Sequence, residues 1–245
     1  MSRSRKYWII GILILISLAG FLALLLYLGI VHINNPSKVK YPVAGVDVSA
    51  YQGRVDWDIL SEQNIDFAYI KATEGSTFKD SCFEYNWKEA SKTDLRIGAY
   101  HFFSFESSGE KQATNFIDSV DAIPEMLPPV IDVEYYGKYK NADSIDVSEI
   151  RVELRNMINI LKEEYGVNPV LYVSEETYNT IVTQEFSDCD IWYRSVYGKI
   201  GGGVEWTFWQ YSNRHRLNGY EGEEPFIDMN VFYGNKEEFK SYGVD

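Results

Sequence analysis

The strongest constraint on the fold is a rhythm of short apolar runs, the first five each followed by a helix-like segment. The runs are 44–49, 67–73, 96–103, 128–135 and 168–174, and the segments after them are 56–63, 80–93, 108–120, 147–166 and 175–182. Asp56 is placed to cap the first segment. Gly166 stops the longest, whose apolar stripe is Ile150, Leu154, Met157, Ile158 and Leu161. Three more runs, 189–196, 206–212 and 226–232, follow with no good helix between them. Alternating strands and helices argue for parallel strands with helical crossovers. The chain is expected to form an α/β, irregular TIM-like barrel of five βα units followed by three strands. An open α/β sheet with an antiparallel tail is the alternative. With 245 residues, 45% of them hydrophobic, there is material for one sizeable core.

The stretch "PVIDVEYYG" (129–137), which spans most of the fourth run, carries two acids inside an apolar stretch. Val130, Asp132 and Glu134 share one strand face, and Ile131, Val133 and Tyr135 share the other. A solvated face would explain this in an open sheet. In a barrel the inward face is packed, and its C-terminal end opens into the mouth where active sites lie. Asp47 in "GVDVS" and Asp228 in "FIDMN" repeat the signature on the first and last runs. Those runs are neighbours in a closed barrel, so four carboxylates are expected to converge: Asp47, Asp132, Glu134 and Asp228.

Clustered acids serve two chemistries, a divalent-cation site and glycoside cleavage by a carboxylic acid with a second carboxylate. Crowding like charges keeps one of them protonated near neutral pH. Aromatic residues at the strand ends favour a sugar: Tyr100 on the third run, Tyr172 on the fifth, and Trp209 and Tyr211 flanking Gln210 on the seventh. Each alone is more often core than ligand. No cofactor or metal is called for. His101 and His215 have no zinc-ligand spacing, and no G-x-S-x-G elbow is present. Cys82 and Cys189 are either a single disulfide or two small buried hydrophobes.

Residues 7–33 contain no Asp, Glu, Lys or Arg. About 20 apolar residues cross a bilayer, whereas a cleavable signal peptide has an apolar core of about 7–15. This run therefore reads as an uncleaved signal anchor. Arg3, Arg5 and Lys6 keep residues 1–6 in the cytoplasm. Residues 34–43 read as a linker, and the barrel of residues 44–240 lies outside the cell membrane. The net charge is −13, and about −16 without those three cations. Such a domain repels phosphate, which sets nucleic acid aside.

The runs "GVDVSAYQGRVDW", "IKATEG", "GAYHFF", "PPVIDVE", "LYVS", "WTFWQYS" and "IDMNVFYG" resemble, in order and spacing, glycoside hydrolase family 25, the Chalaropsis-type lysozymes. The resemblance covers roughly residues 44–239. It implies cleavage of the β-1,4 bond between N-acetylmuramic acid and N-acetylglucosamine, with peptidoglycan glycan strands as partner. It implies the same irregular barrel. Glu134 matches the general acid, Asp132 the acid beside it, and Asp47 and Asp228 two further acids of the catalytic centre. Asp132 would either attack the anomeric carbon or orient the substrate's own N-acetyl oxygen. Positions two apart on a strand are about 7 Å apart, which leaves both open; the resemblance inclines to retention. Tyr100, Tyr172, Trp209, Gln210 and Tyr211 are expected to contact substrate. The stretch "CDIWYRSVYG" (189–198) departs from the family, so that Arg194 and Tyr197 reshape one subsite. A muramidase held at the membrane is the leading reading, and a cell-envelope complex is compatible with it. A non-catalytic wall binder on the same scaffold is the rival. A lytic enzyme released against other cells would require the anchor to be cut.

Overall fold

The computed structural model describes residues 3–244. Helix α1 (Arg3–Tyr27) stands apart, exposed along nearly its whole length. Its apolar part, Ser4–Tyr27, is about 36 Å long at 1.5 Å per residue, enough to cross a bilayer. The charge-free run continues to residue 33, but the helix does not.

Nine strands follow: β1 (Ala44–Val48), β2 (Phe67–Glu74), β3 (Phe78–Lys79), β4 (Arg96–Phe102), β5 (Val130–Val133), β6 (Val170–Val173), β7 (Ile191–Arg194), β8 (Phe208–His215) and β9 (Ile227–Phe232). All but β3 close into a barrel, in the order β1-β2-β4-β5-β6-β7-β8-β9 and back to β1. The pairs from β1–β2 through β7–β8 are parallel, and β9 runs antiparallel to both its neighbours. β3 is a short hairpin partner of β2 that the sequence rhythm does not reveal. The expected closed barrel is present, and the open sheet is not. The helical rhythm lapses after β7: the parallel β7 and β8 are joined by a loop, and the antiparallel β9 needs no crossover helix.

The crossover helices are α2 (Trp57–Ser61), α3 (Phe83–Ala90), α4 (Gly109–Ile117) and α5 (Val147–Tyr165). Asp56 caps α2 by accepting from the Ile59 amide, and Gly166 ends α5 with φ +77°, where a side chain would be strained. The fifth crossover is α6 (Glu175–Thr177) running into a π turn (Tyr178–Val182) and a 3-10 turn (Thr183–Phe186). A final helix, α7 (Lys236–Ser241), has one buried residue, Phe239, and so no periodic signal. Cys82 and Cys189 are free thiols.

Strand alternation sorts the apolar residues into two cores. Outward residues such as Val46, Ile70, Ile131 and Val133 pack beneath the helices. The barrel interior is aromatic: Phe67, Tyr69, Trp192, Phe208 and Phe232, with Phe239 of α7 closing the lower end. Glycines make room for these rings. A Cβ on Gly45 would sit 2.5 Å from the Phe67 ring, and one on Gly98 2.3 Å from Tyr69 Cε1. We therefore expect Gly98→Ala to destabilise the fold by about 1–3 kcal/mol in denaturant titration. Gly198→Ala, which meets nothing within 4 Å, is expected to be near neutral. Equal stabilities for the two would contradict this packing.

Candidate active site

Above the aromatic plug the inward positions turn polar. In the strand registers Asp47 lies directly opposite Asp228, Asp132 pairs with Tyr172, and Arg194 pairs with Gln210. Glu134 follows one residue after β5 ends, continuing the inward face of Val130 and Asp132. The four carboxylates, with Tyr100, Tyr172, Trp192 and Gln210, line a cavity of about 150 Å³. It opens into a groove of about 400 Å³ whose walls add Tyr51, Arg194, Arg214 and Phe226. The four acids that the sequence marks at strand ends thus share one cleft.

A chain of hydrogen bonds fixes the acids on β1 and β9. Trp192 Nε1 donates to Asn230 Oδ1 (2.9 Å), and Tyr172 Oη donates to Gln210 Oε1 (2.9 Å). An indole N–H can only donate, so the Asn230 amide must turn its nitrogen toward the acids. Asn230 Nδ2 then donates to Asp47 Oδ2 (2.8 Å). Gln210 Nε2 bridges Asp47 Oδ2 (3.0 Å) and Asp228 Oδ2 (2.9 Å). Asp47 is held as an acceptor by two fixed donors. Asp132 differs: it lines the cleft, and its buried Oδ1 has no hydrogen-bond partner among the described residues.

These surroundings separate the acids. Burial, and then the charge of Glu134, pushes Asp132 well above the ordinary aspartate range. Burial and then Asp47 do the same to Asp228. Burial also raises Asp47, but the Asn230 and Gln210 amides and Arg194 pull it back. Glu134 is raised by burial, with Arg194 opposing and Asp47 reinforcing. The cleft is built to keep carboxyl protons that open water would remove, the condition for a general acid near neutral pH.

Not every expected contact residue reaches the cleft. Trp209 and Tyr211 are corrected: they point to the opposite face of β8 from Gln210. Trp209 packs against Tyr41 and Trp206 and donates to the Ser195 carbonyl (3.0 Å). A strand with Trp209 on one face and Phe208 and Gln210 on the other can bury either, and the barrel register decides; a bulge after Gln210 then sets Ser212 opposite Met229. Tyr197 is 73% exposed and does not line the cleft, whereas Arg194 does. Trp192 and Asn230 went unmarked, although each alternates with a marked residue (Arg194 and Asp228) and so shares its face. His101 lies outside the cleft, bonded to Thr73 (2.7 Å) and Gln112 (3.0 Å), and His215 stacks on His32.

The sequence pattern of glycosyl hydrolases family 25 matches residues 46–220. The chain belongs to that family. It is a glycosidase of the lysozyme kind. A structure described as a family 25 glycosyl hydrolase from Bacillus anthracis superposes with a TM-score of 0.81 at 48% identity, covering 87% of this chain and 98% of that one. Lysozyme M1 of Streptomyces globisporus is 30% identical over 79% of this chain and 68% of its own. An uncharacterised Escherichia coli protein, YegX, is 32% identical over 83% of this chain and 74% of its own. The matched pattern contains Asp47, Asp132 and Glu134; Asp228 lies beyond it and is placed by the β1–β9 register.

The raised carboxyls carry a stability cost whose sign can be tested. A carboxyl whose folded value lies above its unfolded value of about 3.8 costs nothing below that pH, and its cost grows as pH rises toward the folded value. Asp132→Asn is therefore expected to stabilise the fold near neutral pH by on the order of 1 kcal/mol. The gain should vanish below about pH 3.8. Denaturant titrations across that range check it, and a less stable variant at pH 7 would contradict it.

Proposed function

We propose that this chain is an N-acetylmuramidase that cuts the β-1,4 bond between N-acetylmuramic acid and N-acetylglucosamine in peptidoglycan. The reading rests on one observation above all: four crowded carboxylates at the mouth of a family 25 barrel, one of them with an unpartnered buried oxygen. Glu134 is assigned as the general acid. Its proton passes to the glycosidic oxygen as the bond from that oxygen to the anomeric carbon breaks. With Glu134 protonated, its charge no longer raises Asp132, and the ionised Asp132 meets the positive charge that develops on the muramic-acid ring. Asp132 either bonds to the anomeric carbon or orients the substrate's N-acetyl oxygen to do so, and water then completes the hydrolysis with Glu134 as base. The family resemblance favours retention. Asp47 and Asp228, held by Gln210 and Asn230, keep the field that supports both roles. Tyr100 and Tyr172 form the wall against which a sugar lies.

Helix α1 is assigned as an uncleaved anchor with Arg3, Arg5 and Lys6 in the cytoplasm and the barrel on the outer side of the cell membrane. The length of α1 supports this. The substrate is then wall glycan within reach of that membrane, and assembly with other envelope proteins is compatible with it.

Product analysis tests the reading. Peptidoglycan digested by the detergent-solubilised chain should gain reducing muramic-acid ends, identified by borohydride reduction and mass spectrometry. Glu134→Gln should lower the rate by at least about a hundredfold, while its binding to the wall in pelleting assays is unchanged. Glucosamine ends would refute the bond assignment. Full activity in Glu134→Gln would refute the acid. No new ends, with the chain still pelleting, would make it a wall-binding protein on a hydrolase scaffold.

A further inference from the structure

Residues 28–33, which the sequence assigns to the anchor, and Asn34, which it assigns to the linker, lie beyond the helix end and are packed onto the barrel. The end of α1 meets the end of β8 and the loop that follows it. Arg214 donates from its guanidinium to the Tyr27 carbonyl, and Arg216 Nε donates to the Leu28 carbonyl (3.4 Å). These carbonyls end a helix, where the dipole is negative and cations are favoured. The same guanidiniums lie over aromatic rings: Arg214 is 4.9 Å from the Tyr27 ring centroid and 4.5 Å from that of Phe226, and Arg216 is 4.6 Å from the Phe226 centroid.

Three further residues continue the attachment. Gly29 is buried with φ +66°, and a Cβ there would meet the Arg214 carbonyl at 2.3 Å and Phe226 Cε1 at 2.8 Å. His32 stacks on His215 with ring centroids 3.7 Å apart. Asn34, 7% exposed, donates to three carbonyls, those of Ser195 (2.8 Å), Gly198 (3.0 Å) and Tyr211 (3.2 Å). Contacts of three kinds along eight residues are more than a tether makes.

The surface they grip is the rim of the catalytic groove. Arg214 and Phe226 line that groove together with Glu134, Asp228 and Arg194. Arg194 lies on β7, just before Ser195, whose carbonyl holds Asn34. One wall of the cleft is therefore fastened to the outer end of the membrane helix. We infer that residues 27–34 are a strap that docks the barrel mouth against the membrane anchor, so that the cleft is presented beside the lipid headgroups and the enzyme cuts glycan at the membrane face of the wall. Tyr27 sits at the end of the apolar helix, where an aromatic with a polar tip suits the interface, and Arg214 and Arg216 beside it suit lipid phosphate.

The proposal rests on reading α1 as a membrane anchor, and its test does not depend on catalysis. The full chain, with Cys82→Ala and Cys189→Ala, is spin-labelled at Leu22→Cys on α1 and Lys138→Cys near the mouth, then placed in nanodiscs containing phosphatidylglycerol. Pulsed dipolar spectroscopy is expected to give one narrow distance. A flexible tether of residues 28–43 would instead spread over about 20 Å. Adding Gly29→Leu and Asn34→Ala should convert the narrow distribution into that broad one. A broad distribution in the parent chain overturns the strap even if product analysis establishes a muramidase. A narrow distribution that survives both substitutions overturns the assignment of the strap to these residues. Failure of the chain to enter nanodiscs overturns the anchor on which the proposal rests, with the cleavage reading intact.

Discussion

The site depends on how the barrel closes. An antiparallel β9 beside β1 sets Asp228 opposite Asp47 on the inner face, so two carboxylates must share one small volume. In a parallel doubly-wound sheet the first and last strands would never meet. Closure is tolerable because Gln210 and Asn230 place amide N–H groups between the acids, and because Tyr172 and Trp192 hold those amides by their oxygens. Remove either pin and the amide can turn its oxygen toward a carboxylate. The aromatic plug beneath supplies the rigid floor that positions the pins, since Trp192 belongs to both the plug and the network.

The same crowding links stability to function. Burial raises all four acids, and the opposing influences differ from one to the next. Asp47 accepts two fixed hydrogen bonds, whereas Glu134 stands at the opening, where the charge of Arg194 opposes the effect of burial. Two carboxyl groups in unlike surroundings are what acid-assisted glycoside cleavage requires. The fold pays for that arrangement in charged groups that would be more stable in water.

Much of this was legible in the sequence, for identifiable reasons. The five helix-bearing units follow from periodicity, and the inward face of β5 follows from the alternation of Val130, Asp132 and Glu134. Convergence of Asp47 with Asp228 follows from closure alone. Alternation is silent where both faces are apolar. Trp209 and Tyr211 looked like cleft residues because nothing local distinguishes the two faces of "WTFWQYS". Short elements also escape: β3 and α7 are too brief to show a period. The strap was invisible for a further reason. Asn34 and its partners are more than 160 positions apart, so only the closed barrel brings them together.

The central claim is that the barrel mouth holds the Glu134 carboxyl protonated against the pull of solvent. Carbon-13 NMR of the Glu134 side-chain carboxyl, titrated in the intact chain and assigned by its loss in Glu134→Gln, measures this directly. The account predicts a midpoint above the ordinary glutamate value of 4.5. A midpoint at or below that value would contradict it, because the burial and crowding of the cleft would then not govern its chemistry.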